Sequence, residues 1–214
     1  YEDYGADLAE GQAGTTYPQF LHLLAQEWIP AMPDVHARLQ DSQRPARIAD
    51  VGTGLGWSSI ALANAFPGVR VDGFDLDEAS VDAARVNARA EGVDDRVTFH
   101  AIDASQADPA GGYDFAMAVE CIHDMSDPVG VLRSMRRLVR DGGSVLIVDE
   151  KDAETFAAPG DDVERYMYGF SILHCLPVGM VDTPSAATGT VMRADTLRDY
   201  AEQDAFDLVV VGRR

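Results

Sequence analysis

Three glycines at alternate positions, Gly52, Gly54 and Gly56, form the segment of this chain best suited to chemistry. They follow a short apolar stretch that includes Asp50, and a helix-like apolar stretch begins at about Trp57. Glycines let the backbone turn tightly and approach a ligand closely. The first turn of a helix offers unpaired N–H groups and a partial positive charge. The segment therefore predicts a strand, a loop and a helix that hold a nucleotide-type cofactor.

The spacing of these glycines discriminates between cofactor classes. A dinucleotide-binding loop has the pattern G-x-G-x-x-G, which would place its third glycine at position 57, where this chain has Trp57. The observed pattern D-V-G-x-G-x-G resembles motif I of the class I S-adenosylmethionine-dependent methyltransferases. In that family the loop wraps the methionine part of the cofactor and binds no pyrophosphate. The resemblance implies cofactor contacts at Asp50, Gly52, Thr53, Gly54 and Gly56.

An acidic residue also follows the second predicted strand, in the run G-F-D-L-D at 73–77. In the family, an acidic residue at this position accepts hydrogen bonds from both ribose hydroxyls. A carboxylate suits that role because it accepts without donating. The resemblance therefore implies that Asp75 binds the ribose and that Leu76 belongs to the cofactor site. A turn or N-cap role is the alternative for the two acidic residues, and for Asp77 it is the favoured one.

The third predicted strand ends in the run F-H-A-I-D-A at 99–104, which resembles the next motif of the same family. There an Asp accepts a hydrogen bond from the adenine amino group, and a neighbouring backbone N–H meets a ring nitrogen. The resemblance assigns these roles to Asp103 and Ala104. The alternative is an ordinary loop Asp without a ligand.

The fourth predicted strand leads into the segment V-E-C-I-H-D-M-S-D-P at 119–128. Strand ends at this edge are where open α/β sheets bind ligands. In the family, this segment passes the methionine end of the cofactor and borders the substrate, so Glu120 is predicted to accept from the cofactor's ammonium group. His123 is the best-placed general base, because imidazole titrates near neutral pH. The alternative is that His123 packs in the loop and bonds the backbone.

A second histidine lies in an aromatic segment that is predicted to be helical over about 164–176. Family members often carry substrate-covering insertions at this point of the chain. The segment is therefore predicted to line an apolar pocket through Tyr166, Met167 and Phe170, and His174 is a second candidate base. Core packing or a dimer face is the alternative.

A divalent cation is conceivable on a set of side chains from two loops, because some catechol-type methyltransferases hold two substrate oxygens with one. The set comprises His123, Asp124, Asp127 and Asp149. These residues show no recognisable ligand spacing. Asp127 is better explained as an N-cap followed by Pro128 at the first helical position. The sequence therefore predicts no metal site.

A framework of alternating strands and helices must position these side chains. Strands are predicted at 47–51, 69–74, 96–101, 113–119, 144–148 and 206–211. Helices are predicted at 17–28, 57–66, 77–91, from 128 to a stop at 142–143, and at 194–203, besides the aromatic segment. This alternation requires a parallel sheet with right-handed crossovers. The predicted fold class is α/β, Rossmann-like, a mainly parallel sheet with helices on both faces.

One domain is expected. Residues 1–46 are predicted to form its N-terminal helical segment, in which a helix is ended by Pro30 and Pro33. Residues 47–214 are predicted to form the S-adenosylmethionine-binding Rossmann-like domain, with a lid insertion at about 151–190.

The composition of the chain limits the classes of partner that we expect. The 214 residues carry a net charge of −19, whereas nucleic-acid binding usually needs a basic face, so no nucleic-acid partner is expected. No apolar run in the sequence has membrane-spanning length. Cys121 and Cys175 lack C-x-x-C spacing and are expected to be reduced thiols in a cytoplasmic protein. A small-molecule substrate is therefore predicted.

The resemblance implies transfer of a methyl group from S-adenosylmethionine to an O or N atom of a small molecule, with S-adenosylhomocysteine as product. The protein would mainly align the reacting atoms and desolvate the site. A catalytically silent module that only binds or senses the cofactor is the alternative, and Trp57 disfavours a nicotinamide-dependent oxidoreductase. The segments C-I-H-D-M-S-D-P at 121–128 and L-H-C-L-P at 173–177 resemble bacterial methyltransferases that can carry an N-terminal winged-helix dimerisation domain. A homodimer is therefore left open.

Overall fold

Strands and helices alternate along the chain in a computed structural model that describes residues 4–108, 110–203 and 206. The strands in these ranges are β1 (Arg47–Val51), β2 (Arg70–Asp75), β3 (Val97–Ala101), β4 (Tyr113–Val119) and β5 (Val139–Val148). The α-helices are α1 (Ala6–Gln19), α2 (Pro33–Gln40), α3 (Trp57–Ala65), α4 (Glu78–Ala90), α5 (Pro128–Leu138), α6 (Asp162–Leu173), α7 (Cys175–Gly179) and α8 (Ala194–Glu202).

The strands form one sheet in the order β3-β2-β1-β4-β5. β1 pairs in parallel with β2 and with β4, and β2 pairs in parallel with β3. The order reverses at β1, where a doubly wound sheet opens a crevice beyond the carboxyl ends of its strands. The predicted Rossmann-like fold class is therefore confirmed.

The central strands are buried on both faces, which explains why they appear in the sequence as continuous apolar runs rather than alternating ones. Every residue of β4 is buried, including Phe115 and Met117. Ile48 and Ala49 of β1 are fully buried beside them. The observed bounds of β1 and β4 are the predicted ones, because each run ends abruptly at glycine or charged residues.

The boundary between α5 and β5 differs from the prediction. The helix was expected to continue to Gly142, but it ends at Leu138 and the strand starts at Val139. Leu132 and Met135 are buried on the helix as predicted, whereas Val139 belongs to the strand. Gly142 has a φ of 76°, a left-handed conformation that a right-handed helix cannot include.

Two further regions differ in detail from the predicted helices. The N-terminal region forms α1 and then a π-helix over Phe20–Trp28, and Pro33 begins α2 instead of only ending the helix before it. The aromatic segment is two helices, α6 and α7, because His174 between them has a φ of −137°. The strand predicted at 206–211 lies outside the described residues except for Phe206.

The chain divides into two compact units. The first comprises Tyr1–Val119 and Met135–Leu146, and the second comprises Glu120–Ser134 and Ile147–Arg214. Within the first unit, the N-terminal helices pack against α3. The predicted domain boundary at 46–47 and the lid at 151–190 stay predictions. Across the described ranges, no helix combines the length and the apolar character that a membrane span requires.

Candidate active site

The loop after β1 owes its shape to left-handed backbone at each of its three glycines. Gly52, Gly54 and Gly56 have φ values of 71°, 51° and 82°. The Gly52 and Thr53 N–H groups donate to the Phe74 carbonyl of β2, at 2.9 and 3.1 Å. A Cβ added at Gly54 would meet nothing within 4 Å, so this part of the loop borders open space. The loop therefore exposes backbone to a ligand while its base stays bonded to β2.

One aromatic ring closes the underside of this loop. A Cβ at Gly56 would stand 2.5 Å from the Phe99 ring, and a Cβ at Gly73 would stand 2.6 Å from the same ring. Both separations are far shorter than van der Waals contact, so neither position accommodates a side chain without displacing Phe99. The need for glycine at 73 was not foreseen from the sequence.

Asp50 is a buried anchor for the loop. The residue is only 1% exposed to solvent. Its Oδ2 accepts hydrogen bonds from the hydroxyls of Thr53, Ser58 and Ser59 at 3.0, 2.5 and 2.6 Å. Burial raises the pKa of Asp50, and the hydroxyls partly offset this by stabilising the carboxylate. The two serines, in the first turn of α3, were missed by sequence reasoning, although they follow the glycine loop directly.

Asp75, at the end of β2, is bonded to the same loop. Its Oδ2 accepts from the Gly54 N–H at 2.8 Å, and its Oδ1 accepts from the Asp77 N–H at 3.0 Å. Burial raises the pKa of Asp75. Leu76 beside it is 74% exposed. Asp77 accepts from the Ser80 N–H at 3.0 Å and begins α4, which confirms the predicted N-cap.

Asp103 and Ala104 follow β3, so they lie at the same edge of the parallel sheet as the glycine loop and Asp75. Asp103 is exposed, and its Oδ1 accepts from the Ser105 N–H at 2.7 Å, capping a 3₁₀ turn. Ala104 is buried in that turn. The first unit therefore presents polar groups after three successive strands, as predicted.

The second unit begins with Glu120, which has a φ of 56° and is one of two non-glycine residues with positive φ in the described ranges. Such strained backbone clusters at functional sites. Burial raises the pKa of Glu120, and the hydrogen bond and charge of Glu150 add to the rise, bringing it to about 9. The surroundings of Glu120 therefore favour the neutral form of its carboxyl group.

His123 is 3% exposed and faces two carboxylates. Its Nδ1 lies 2.5 Å from Asp149 Oδ1, and its Nε2 lies 3.2 Å from Asp124 Oδ1. Burial alone would lower the pKa of His123, but hydrogen bonds to Asp149 and Cys175 and the carboxylate charges raise it to about 11. The pairing with Asp149 was not predicted; its signal was that both residues follow neighbouring strands, β4 and β5.

His174 is also 3% exposed, and it joins α6 to α7. Burial lowers the pKa of His174, so its imidazole is neutral at neutral pH. Its ring packs edge-on against Phe170, with the centroids 5.7 Å apart. Tyr166 is 63% exposed and stacks on Phe170. The second unit therefore contains both predicted bases, in opposite states of charge.

The reversal of strand order at β1, the left-handed glycine loop and the acidic residues after successive strands define a Rossmann-like domain. Residues 48–143 match the family model described as "Methyltransferase domain". Over these residues the chain therefore resembles the class I S-adenosylmethionine-dependent methyltransferases, as its motifs predicted.

Curated relatives and a solved structure agree with this match. The chain is 36% identical to 27-O-demethylrifamycin SV methyltransferase of Amycolatopsis mediterranei, over 56% of this chain and 44% of that protein. It is 35% identical to ubiquinone biosynthesis O-methyltransferase of Bordetella avium, over 58% of this chain and 47% of that protein. The chain thus spans about half the length of the curated relatives it matches. The apo S-adenosylmethionine-dependent methyltransferase SibL shares the fold, with a TM-score of 0.60 and 22% identity, over 92% of this chain and 50% of that one.

Proposed function

We propose that this protein transfers a methyl group from S-adenosylmethionine to an oxygen or nitrogen atom of a small molecule and releases S-adenosylhomocysteine. The family match of residues 48–143 supports the reaction class. The observation that carries the proposal is the left-handed glycine loop, whose Gly54 N–H is bonded to the Asp75 carboxylate.

The residues of the first unit fit this cofactor. The space in front of Gly54 leaves room for a ligand against the backbone. The Asp75 carboxylate accepts from the N–H groups of Gly54, Asp77 and Leu76, which leaves one of its roughly four acceptor positions for a ribose hydroxyl. We assign the methionine part to Gly52, Thr53, Gly54 and Gly56, the ribose to Asp75 and Leu76, and the adenine to Asp103 and Ala104.

Two acidic residues receive different proposed roles. Asp50 is buried under the loop and bonded to three hydroxyls, so it acts as a positioning residue that fixes the loop and the start of α3. Glu120 is proposed to accept from the cofactor's ammonium group. A cation there would favour the ionised carboxylate.

When bound, the cofactor supplies an electrophilic methyl group. The chain holds the reacting atoms in line and excludes water, and a base must take the proton of an O–H or N–H acceptor. Both ring nitrogens of His123 already face carboxylates. This favours His174 over His123 as the proton acceptor.

The proposal extends to the setting of the reaction. Cys121 and Cys175 are both thiols, which agrees with a reducing, cytoplasmic location. The net charge of −19 supports a small-molecule substrate rather than nucleic acid. A homodimer is part of the proposal only through the resemblance to dimeric bacterial methyltransferases.

Calorimetry followed by a transfer assay tests the function. The chain should bind S-adenosylmethionine and S-adenosylhomocysteine but not NADH. Methyl-labelled cofactor should then label a member of a panel of hydroxylated and amino compounds. The panel includes 27-O-demethylrifamycin SV, which one relative is named for, and a quinol, because another relative is named for ubiquinone biosynthesis. Cofactor binding without transfer to any compound would favour the silent sensor, and binding of NADH alone would overturn the proposal.

A further inference from the structure

A second constellation in the second unit is not used by methyl transfer as proposed above. His123, Asp124 and Cys175 each offer one ligand atom, and these atoms all lie within 4.8 Å of one another. The three residues come from two elements: the 3₁₀ turn Ile122–Asp124, and the first position of α7. All three are shielded from solvent.

The geometry points to a binding site for a zinc-type divalent cation, which we propose is ligated by His123 Nε2, an Asp124 carboxylate oxygen and Cys175 Sγ. In a tetrahedral zinc site, the Zn–N, Zn–O and Zn–S bond lengths place neighbouring ligand atoms about 3.3–3.8 Å apart. The observed separation of His123 Nε2 and Asp124 Oδ1 is 3.2 Å. The mixed N, O and S donors favour zinc over magnesium or calcium, and three protein ligands leave the fourth position open.

Asp149 supplies the support that a metal-ligating histidine normally has. Its Oδ1 lies 2.5 Å from His123 Nδ1. A carboxylate on Nδ1 fixes the ring orientation and directs the lone pair of Nε2 toward a metal. Asp149 Oδ2 is buried with no hydrogen-bond partner among the described residues. This oxygen can therefore still accept a hydrogen bond.

The backbone holds the ligands in place. The His123 carbonyl accepts from the Gly189 N–H at 3.1 Å, and the Ser126 hydroxyl donates to the Gly179 carbonyl, at the end of α7, at 2.8 Å. These bonds fix the 3₁₀ turn to α7 and to the following loop.

Cobalt substitution tests the site directly on the full chain. After chelator treatment, loading with Co²⁺ and dialysis, we expect one retained ion and a thiolate-to-cobalt charge-transfer band in the near ultraviolet. Cys175→Ser should abolish the band, whereas Cys121→Ser, outside the ligand set, should retain it. Asp149→Asn should keep the band and weaken Zn²⁺ binding by about 10- to 100-fold.

A wild-type protein without a retained ion, or with a band that survives in Cys175→Ser, would overturn the site. The wild-type and Asp149→Asn measurements decide the matter even if Cys175→Ser does not fold. Calorimetry of S-adenosylmethionine binding is run on the same samples. Because the proposed cofactor contacts to the loop lie in the first unit, loss of metal with intact cofactor binding refutes only the metal site.

Discussion

The glycine loop after β1 and the charged cluster around His123 prepare for ligands in opposite ways. The loop works through missing side chains, since Gly54 leaves open space where other residues would place a Cβ and Gly56 leaves a place that the Phe99 ring fills. The cluster works through side chains that are present and buried, with Asp124 and Asp149 on either side of one imidazole. Substitutions should therefore act by opposite rules: added atoms should damage the loop, and removed atoms should damage the cluster.

The largest effect is expected from removing a carboxylate from the cluster. Asp149→Ala leaves the buried imidazole of His123 with one carboxylate fewer, and breaking a buried ion pair costs about 3–5 kcal/mol of stability. Urea unfolding followed by far-ultraviolet circular dichroism measures the loss. Asp82→Ala, which removes an exposed pair with Arg85, is the matched control and should cost less than about 1 kcal/mol. Equal losses in the two variants would contradict the cluster's dependence on its partners.

The loop should respond to added atoms at Gly56. Gly56→Ala places a Cβ 2.5 Å from the Phe99 ring and keeps a left-handed φ of 82°. Strain and overpacking together should cost roughly 2–5 kcal/mol. Trp28 and Trp57 both lie in the first unit, so tryptophan fluorescence during urea unfolding reports on it. Gly54→Ala, which meets no neighbour, should cost only the roughly 1–2 kcal/mol of left-handed strain. Equal losses of unfolding free energy in the two variants would contradict the close approach of the Phe99 ring to Gly56.

Removing the Asp75 side chain should lower cofactor affinity more than it lowers the stability of the fold. Asp75→Ala removes the carboxylate that is proposed to bind the ribose, and cofactor affinity should fall by roughly 1–3 kcal/mol. Calorimetry with S-adenosylmethionine measures the change. An affinity equal to that of the wild type would exclude Asp75 from the cofactor site.

The smallest effect is expected from a substitution at Asp77, two residues after Asp75. Asp77→Ala removes the side chain that caps α4 through the Ser80 N–H, so stability should fall by about 1 kcal/mol. Cofactor affinity should stay at its wild-type value, which makes this variant the control for Asp75→Ala. If both variants weakened the cofactor equally, Asp75 would act by shaping the turn and not by contact.

The sequence predicted the parts of the molecule that depend on local pattern. β1 and β4 are continuous apolar runs, and Asp77 and Asp127 precede helices as N-caps. Local pattern failed at the end of α5, where the helical spacing of apolar residues continues to Val139 but the helix ends at Leu138, and Gly142 has a left-handed φ inside β5.

Side-chain pairing over long separations was not predictable in the same way. The parallel sheet implies that segments after β4 and β5 meet at one edge, but it does not say that His123 would bond Asp149 rather than Asp124 alone. Nor does it say that Cys175, about fifty residues further along the chain, would reach the same imidazole. Likewise the D-V-G pattern indicated Asp50, but not that Ser58 and Ser59 would bury its carboxylate.

The packing of Phe99 has a consequence for how this sequence can evolve. One ring fills the space that two absent side chains leave at Gly56 and Gly73, so the three positions form a single unit of inheritance. An alanine at either glycine would become acceptable only after the ring had first been exchanged for something smaller. Relatives that lack a large aromatic residue at the position of Phe99 should therefore be the ones that tolerate a larger residue at position 73, whereas the left-handed φ of 82° still favours glycine at position 56.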